Sequence, residues 1–490
     1  MSAVKPATGL FLGAGASYEA GMPLVWEVTN EIKSWLTPAQ LQELNEGWRI
    51  QGTGFSDAVI EDVISVLVRP EMHYEAILGY METQFRRQRT QAQKYHGLYS
   101  WFVEVVYNIL YLRHIGNLTF LDRYLSRYDG LRALVPEDAP LRVFSLNHDV
   151  IIEAIAARLS IPLYSGFSPK FVTLPRRNSL GHKIGELCAE VLTKRELEHA
   201  AMYYPNPPKP GIYLMKIHGG LDIFTFNDGH DLMKLSPEGT SWKGYIEMLR
   251  AANEELLYLL PGTPGGKAKG TNQITYADDQ GVMQFLRRSL LAGAFKFDAS
   301  GTQVLPMSML KHFRDNLNFV STLVCIGYGF GDIHINLILR DWLAFSADRR
   351  IEVVSPDVSG IPPFLLHLAT QVTMTKSGAM EYFDRAGGIT RPPREGLELR
   401  IMHAQRTLGK TRSDEILRNF LAQDNERMRT GFLAKLQALP LQGGKPDFNA
   451  IGDPAETARQ WSSDLKLSED DFLAALLAKL DDAVVGKAAI

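Results

Sequence analysis

Four times along the chain a short apolar run stops abruptly at a glycine-rich or polar turn, and after three of those turns a helical pattern begins. This alternation restricts the fold more than any bulk property does, because strands separated by helices pair in parallel and pass their connections over the sheet faces. The first run, residues 8–12, stops at Gly13-Ala14-Gly15-Ala16-Ser17 ahead of a helix predicted over 25–35. The second, 141–146, stops at Asn147-His148-Asp149 ahead of a helix over 150–159. The third, 212–217, stops at His218-Gly219-Gly220, and the fourth, 321–326, at Gly327-Tyr328-Gly329-Phe330-Gly331-Asp332 before a helix over 335–344. A β-branched run at 350–355, followed by Pro356-Asp357, and a short one at 161–164 complete the set of predicted strands.

Between the first two strands, residues 37–137 read as an all-helical insertion, with apolar residues spaced by three and four over 98–112 and 120–134. Residues 261–279, rich in glycine, lysine and polar side chains, read as an exposed loop. After about 362 the alternation fades into helical patterns at 413–439 and 468–485, separated by Gly443-Gly444-Lys445-Pro446-Asp447. The expected architecture is α/β: a Rossmann-like parallel sheet with helices on both faces over 1–360, carrying the insertion, and a mainly helical C-terminal region over 361–490.

In a parallel sheet ligands bind beyond the carboxyl ends of the strands, so the residues at those ends are the first candidates for function. Gly13 and Gly15 let a backbone approach a pyrophosphate, with the following helix offering N–H donors and Ser17 a hydroxyl. The alternative is a tight turn that needs glycine for its conformation alone. The third glycine of the dinucleotide fingerprint is absent, Tyr18 standing in its place. Asn147 and His218 each end a strand, and a carboxamide beside a neutral imidazole suits the orienting of a ribose hydroxyl or an attacking water. Singly, each also fits a structural role, Asn147 as a turn former or helix cap and His218 as a hydrogen-bonded core residue.

A formal net charge of −3 argues against a surface built to neutralise phosphate backbones. The basic clusters at Arg86, Arg87, Arg89 and Lys94, and at Lys267 and Lys269, read as solvated faces, and direct nucleic-acid binding is not expected. Two cysteines, Cys188 and Cys325, exclude a disulfide framework and a four-cysteine zinc site, and no metal centre is expected. No apolar stretch approaches the roughly 20 residues needed to cross a bilayer. The segment 9–17 is too short and too weakly flanked by charge for a secretory leader, so a cytoplasmic location is expected.

Taken in order, Gly13-Ala14-Gly15-Ala16-Ser17 with Gly21-Met22-Pro23, Ser145-Leu146-Asn147-His148-Asp149, Lys216-Ile217-His218-Gly219 and Gly327-Tyr328-Gly329-Phe330-Gly331-Asp332 resemble the sirtuin superfamily, especially its bacterial branch of NAD-consuming anti-phage defence proteins. The resemblance spans residues 8 to about 357. It implies NAD⁺ as substrate, with Gly13, Ala14, Gly15 and Ser17 at the pyrophosphate and Asn147 and His218 facing the nicotinamide ribose. It also implies that Asp149 orients its loop, and that Gly327, Gly329 and Asp332, with Ser355 and Asp357, border the adenosine half. For Asp332 and His334 a structural role stays equally open. Family deacylases carry a four-cysteine zinc module and continue Gly-Ile-Pro-Asp-Phe-Arg, where this chain has Gly21-Met22-Pro23-Leu24-Val25-Trp26. Deacylation is therefore disfavoured and no zinc is expected. The implied activity is NAD⁺ hydrolysis to nicotinamide and ADP-ribose, gated within a homo-oligomer or by a partner such as a HerA-like DNA-translocating ATPase or a phage-sensing subunit. The competing readings are a protein ADP-ribosyltransferase or deacylase, a non-catalytic NAD-binding sensor, and a dehydrogenase, the last weakened by the broken glycine fingerprint.

Overall fold

The computed structural model describes residues 7–87, 90–116, 118–227, 231–263, 265–290 and 308–488. Arg89 of the basic cluster lies outside them. The chain divides into two compact units, Met1–Ile389 and Thr390–Ile490. In the first, strand β1 (Thr8–Leu12) runs into a 3-10 turn (Ala14–Ala20) and six helices: α1 (Val25–Trp35), α2 (Pro38–Ile50), α3 (Asp57–Leu67), α4 (Tyr74–Arg87), α5 (Ala92–Gly116) and α6 (Leu118–Ser126). Thr37 caps α2 by accepting the Gln40 N–H at 3.2 Å, with Pro38 just inside the helix. Among the described residues no strand interrupts this stretch before β2 (Pro140–Ser145), so the helical insertion stands as its spacing predicts.

Beyond β2 come α7 (Ile151–Arg158), β3 (Leu163–Tyr164), β4 (Ser168–Arg177), β5 (Lys183–Leu192), α8 (Lys194–His199), β6 (Gly211–Lys216), β7 (Ile223–Phe226) and β8 (Asp231–Ser236). Then follow α9 (Trp242–Glu254), β9 (Gln273–Ala277), β10 (Met283–Arg288), α10 (Ser308–Leu317), β11 (Thr322–Ile326), α11 (Ile333–Ala344), β12 (Arg350–Val354), β13 (Val372–Thr375) and α12 (Ala379–Gly387). Seven strands form one sheet in the order β13-β12-β11-β1-β2-β6-β3, and every pairing is parallel.

Successive side chains of a strand point to opposite faces, and here the two faces meet different helices. Leu10, Leu12, Val143, Val324 and Ile326 pack with the insertion helices and α7, whereas Phe11, Phe144, Leu323, Cys325 and Val353 pack with α10 and α11. Helices therefore cover both faces, and the architecture is the Rossmann-like α/β class that the alternation predicts.

Two parts of the fold differ from the sequence reading. A second, antiparallel sheet in the order β4-β5-β8-β7-β10-β9 occupies the chain around β6 and after it. Within 261–279, read as loop, β9 pairs with β10 and buries Ile274 and Thr275. The division between the units falls at Ile389 and Thr390 rather than at 360, because β13 extends the parallel sheet by pairing with β12 and α12 belongs to the same unit. The second unit consists of α13 (Pro393–Leu408), α14 (Lys410–Gln437), α15 (Pro454–Leu465) and α16 (Glu469–Ala488), with the two-residue strands β14 (Leu441–Gln442) and β15 (Lys445–Pro446). Its core is its own, built on Ile401, Leu408, Phe420, Leu476, Leu477 and Leu480. No helix among the described residues is long and apolar enough to cross a membrane.

Candidate active site at the carboxyl edge of the parallel sheet

Because the sheet is parallel, the carboxyl ends of β12, β11, β1, β2 and β6 lie side by side along one edge. From β1 the chain builds outward to β2 and β6 on one side and later to β11 and β12 on the other. The boundary between β1 and β11 is thus a topological switch point, where the following turns leave a crevice in folds of this kind.

At that boundary the two glycine turns interlock. The Gly13 N–H donates to Ile326 O and the Gly15 N–H to Gly327 O, each at 3.0 Å. A Cβ on Gly13 would sit 2.6 Å from Gly327 O, and one on Gly15 2.7 Å from Gly327 Cα. Gly327, at φ +61, would place a Cβ 2.3 Å from Gly15 C. Close backbone approach accounts for these three glycines, with a left-handed φ added at Gly327, and their amides are engaged with protein carbonyls. Between them, Ala14 has an amide that no described residue accepts from. Gly329 and Gly331 differ in kind, since a Cβ on either meets nothing within 4 Å. A Gly327→Ala chain is accordingly expected to lose about 1–3 kcal/mol of stability through backbone overlap and left-handed strain, whereas Gly329→Ala unfolds like the parent. Urea unfolding of the two variants checks the contrast.

The remaining motif residues converge on the same edge. Asn147, buried after β2, donates from Nδ2 to Ser17 Oγ at 3.0 Å, which joins the first motif to the second. Among the described residues none donates to its Oδ1. His148, beside it, brings its ring centroid to 6.4 Å from that of His218, which follows β6. His218 Nε2 lies 3.2 Å from Asp332 Oδ2, with both side chains buried. Asp332 uses its other oxygen to cap α11, accepting the N–H groups of His334 and Ile335 at 3.1 and 3.3 Å. Asp332 is thus a helix cap, the structural role left open for it, and it also faces the imidazole.

Other predicted residues make local contacts. Asp149 Oδ1 accepts the Ile151 N–H at 3.0 Å at the start of α7, so it orients the turn after β2. Ser355 Oγ accepts the Asp357 N–H at 3.4 Å, and Asp357 is exposed. No contact among the described residues joins this pair to Asn147, His218 or Asp332. Tyr328 donates to Asn336 Oδ1 at 3.0 Å and meets Phe11 edge-on at 5.0 Å, which fixes the turn after β11 from below. Among the described residues no cluster of histidine, cysteine and carboxylate is arranged to hold a metal ion.

Beneath the site lies a group that sequence reading missed. Lys216 Nζ stands 2.9 Å from Glu153 Oε1 and 3.2 Å from Asp222 Oδ1. Lys234 closes the quartet, 3.3 Å from Glu153 Oε1 and in direct contact with Asp222 Oδ2. Four elements supply it, from α7, β6, the loop after β6 and β8, and all four charges are buried. Burial opposes ionisation of Asp222, yet the ammonium groups of Lys216 and Lys234 outweigh it and hold the carboxyl at about 2. Burial likewise disfavours charge on Lys234, and Asp222 and Glu153 overcome it, raising the ammonium above its ordinary range. Lys216 also donates to Asp149 O at 2.6 Å, which ties the quartet to the turn bearing Asn147. A signal for it exists in the sequence: a lysine inside each of the apolar runs 212–217 and 232–235 demands a buried partner.

No protein-family model matches the chain, and no curated protein matches it in sequence.

Proposed function

We propose that the first unit is an NAD⁺ glycohydrolase that cleaves the bond between nicotinamide and ribose. The observation that carries this reading is the meeting, on one sheet edge, of the Ser17–Asn147 hydrogen bond and the buried His218–Asp332 pair. With Nδ2 committed to Ser17, Asn147 has Oδ1 left to accept a hydroxyl or water proton. Beside Asp332, His218 serves as the general base, acting on water directly or through a ribose hydroxyl. Positioning plus base help is what substitution at C1′ by water requires, since the leaving of nicotinamide develops positive charge on the sugar.

These residues fit the reacting half of the substrate better than its pyrophosphate. The amides of Gly13 and Gly15 are spent on Ile326 and Gly327, so the phosphates fall to the Ala14 amide and to the open ground at Gly329 and Gly331. The resemblance to bacterial sirtuin-like defence proteins supports a further reading, in which activity is held silent in a homo-oligomer or by a partner ATPase or sensing subunit and depletes cellular NAD⁺ on infection. Exposed Trp26 and Trp35 on α1 and Phe120 on α6 are apolar surface suited to such assembly.

Incubation with NAD⁺ and chromatographic separation of nicotinamide, ADP-ribose and cyclised product tests the proposal, run on the full chain alone and with its native partners. Equimolar nicotinamide and ADP-ribose is the expected result. Binding without nicotinamide release in the assembled complex would make the chain a sensor, and a mass shift on an added protein would make it a transferase.

A further inference from the structure

We infer that His114, on the helical insertion, is a positioning residue for the turn that bears Asn147. The inference rests on the proposed function only for its activity readout. His114 is wholly buried near the end of α5, far in sequence from every motif residue. Its Nδ1 lies 2.7 Å from Leu110 O, and its Nε2 receives the Val150 N–H at 3.3 Å. A carbonyl only accepts, so Nδ1 carries the hydrogen. Burial holds the imidazole below its ordinary proton affinity, with the Asp149 carboxylate opposing, so the ring is neutral and Nε2 presents a lone pair. That lone pair satisfies one of the amides that open α7, while Asp149 satisfies the next at Ile151.

The turn 147–150 is thereby pinned from separate elements. Lys216 of β6 holds Asp149 O, the Leu221 N–H donates to His148 O at 2.8 Å, and His114 holds the Val150 amide. The charged groups facing the imidazole are Asp149 on the turn, Glu153 on α7 and Lys216 on β6. Through His114 any displacement of α5 reaches the turn from which Asn147 meets Ser17. The insertion is therefore a control arm of the site.

Two substitutions separate the nitrogens. Glutamine places an acceptor where Nε2 stands, and asparagine reaches only the Nδ1 position, so H114Q keeps the Val150 contact and H114N loses it. Amide hydrogen exchange of 147–152 reads this without substrate. Exchange at Val150 and Ile151 in H114N is expected to rise roughly tenfold or more, with H114Q near the parent. NAD⁺ cleavage by H114N is expected to fall about tenfold in kcat with KM little changed, and by H114Q to stay close to the parent. An H114N chain that does not fold beside a folded H114Q chain supports the inference. Equal exchange in the two variants, or an H114Q chain no better protected than H114N, overturns it. If the parent releases no nicotinamide, the functional proposal fails while the exchange comparison still decides the role of His114.

Discussion

His218→Ala is expected to lower nicotinamide release from NAD⁺ by roughly 10²–10⁴-fold, the usual worth of a positioned general base, with the far-ultraviolet circular dichroism staying that of the parent. An imidazole can take a proton near neutral pH, and this one lies 3.2 Å from Asp332. A companion variant isolates the carboxylate. In an Asp332→Asn chain the new carboxamide still caps α11, because asparagine accepts helix N–H groups as well as aspartate does, but it no longer biases the imidazole by charge. Its cleavage rate is expected to fall by roughly tenfold or more with the helix intact. Near-parental turnover in purified His218→Ala would remove the imidazole from the reaction and, with it, the proposed chemistry.

The largest loss of stability is expected from the quartet under the site. Asp222→Ala leaves Lys216 and Lys234 buried with one carboxylate between them, and breaking a buried ion pair from one side costs about 3–5 kcal/mol. Thermal and urea unfolding of Asp222→Ala beside Asp357→Ala, an exposed carboxylate on the same edge, measures this. A midpoint for Asp222→Ala as high as that of Asp357→Ala contradicts it. The pH dependence follows from the direction of each shift. The Asp222 carboxyl is depressed from 3.8 to about 2, so its stabilisation is complete above about pH 4 and disappears as pH falls from there through 2. Lys234 is raised above its ordinary 10.5, so its contribution is complete below that value and is lost only in stronger alkali. Stability of the parent should therefore fall on the acid side below pH 4 more steeply than that of Asp222→Asn.

The parallel sheet was legible because most of its strands are predominantly apolar runs with a glycine or polar stop, which is what burial on both faces produces. The antiparallel sheet was not, because its strands write a different pattern. In β4 the residues from Pro169 to Thr173 are exposed, Pro175 interrupts the run, and a bulge shifts the register after Ser168. In β5 burial returns only at Leu187, Ala189 and Leu192. Neither shows clean alternation, so periodicity offered nothing to read. Site residues were legible as types at strand ends, since a polar residue there has one edge to occupy. Their pairings were not: that Asp332 faces His218, or that Glu153 on α7 meets Lys234 on β8, depends on crossovers that bring distant segments into register. His114 was hidden for a related reason, being one of several polar residues on a long helix, with its partner amide in another element.

The interlock of Gly13 and Gly15 with Gly327 fixes when the site comes into being during synthesis. Asn147 and His218 leave the ribosome early, but β1 has no neighbour on its second side until β11 emerges, and Asp332 follows after that. A truncated or still-growing chain thus lacks the imidazole's carboxylate and the wall against which the first turn is shaped. The edge that gathers Ser17, Asn147, His218 and Asp332 is therefore assembled only when nearly the whole first unit is in place.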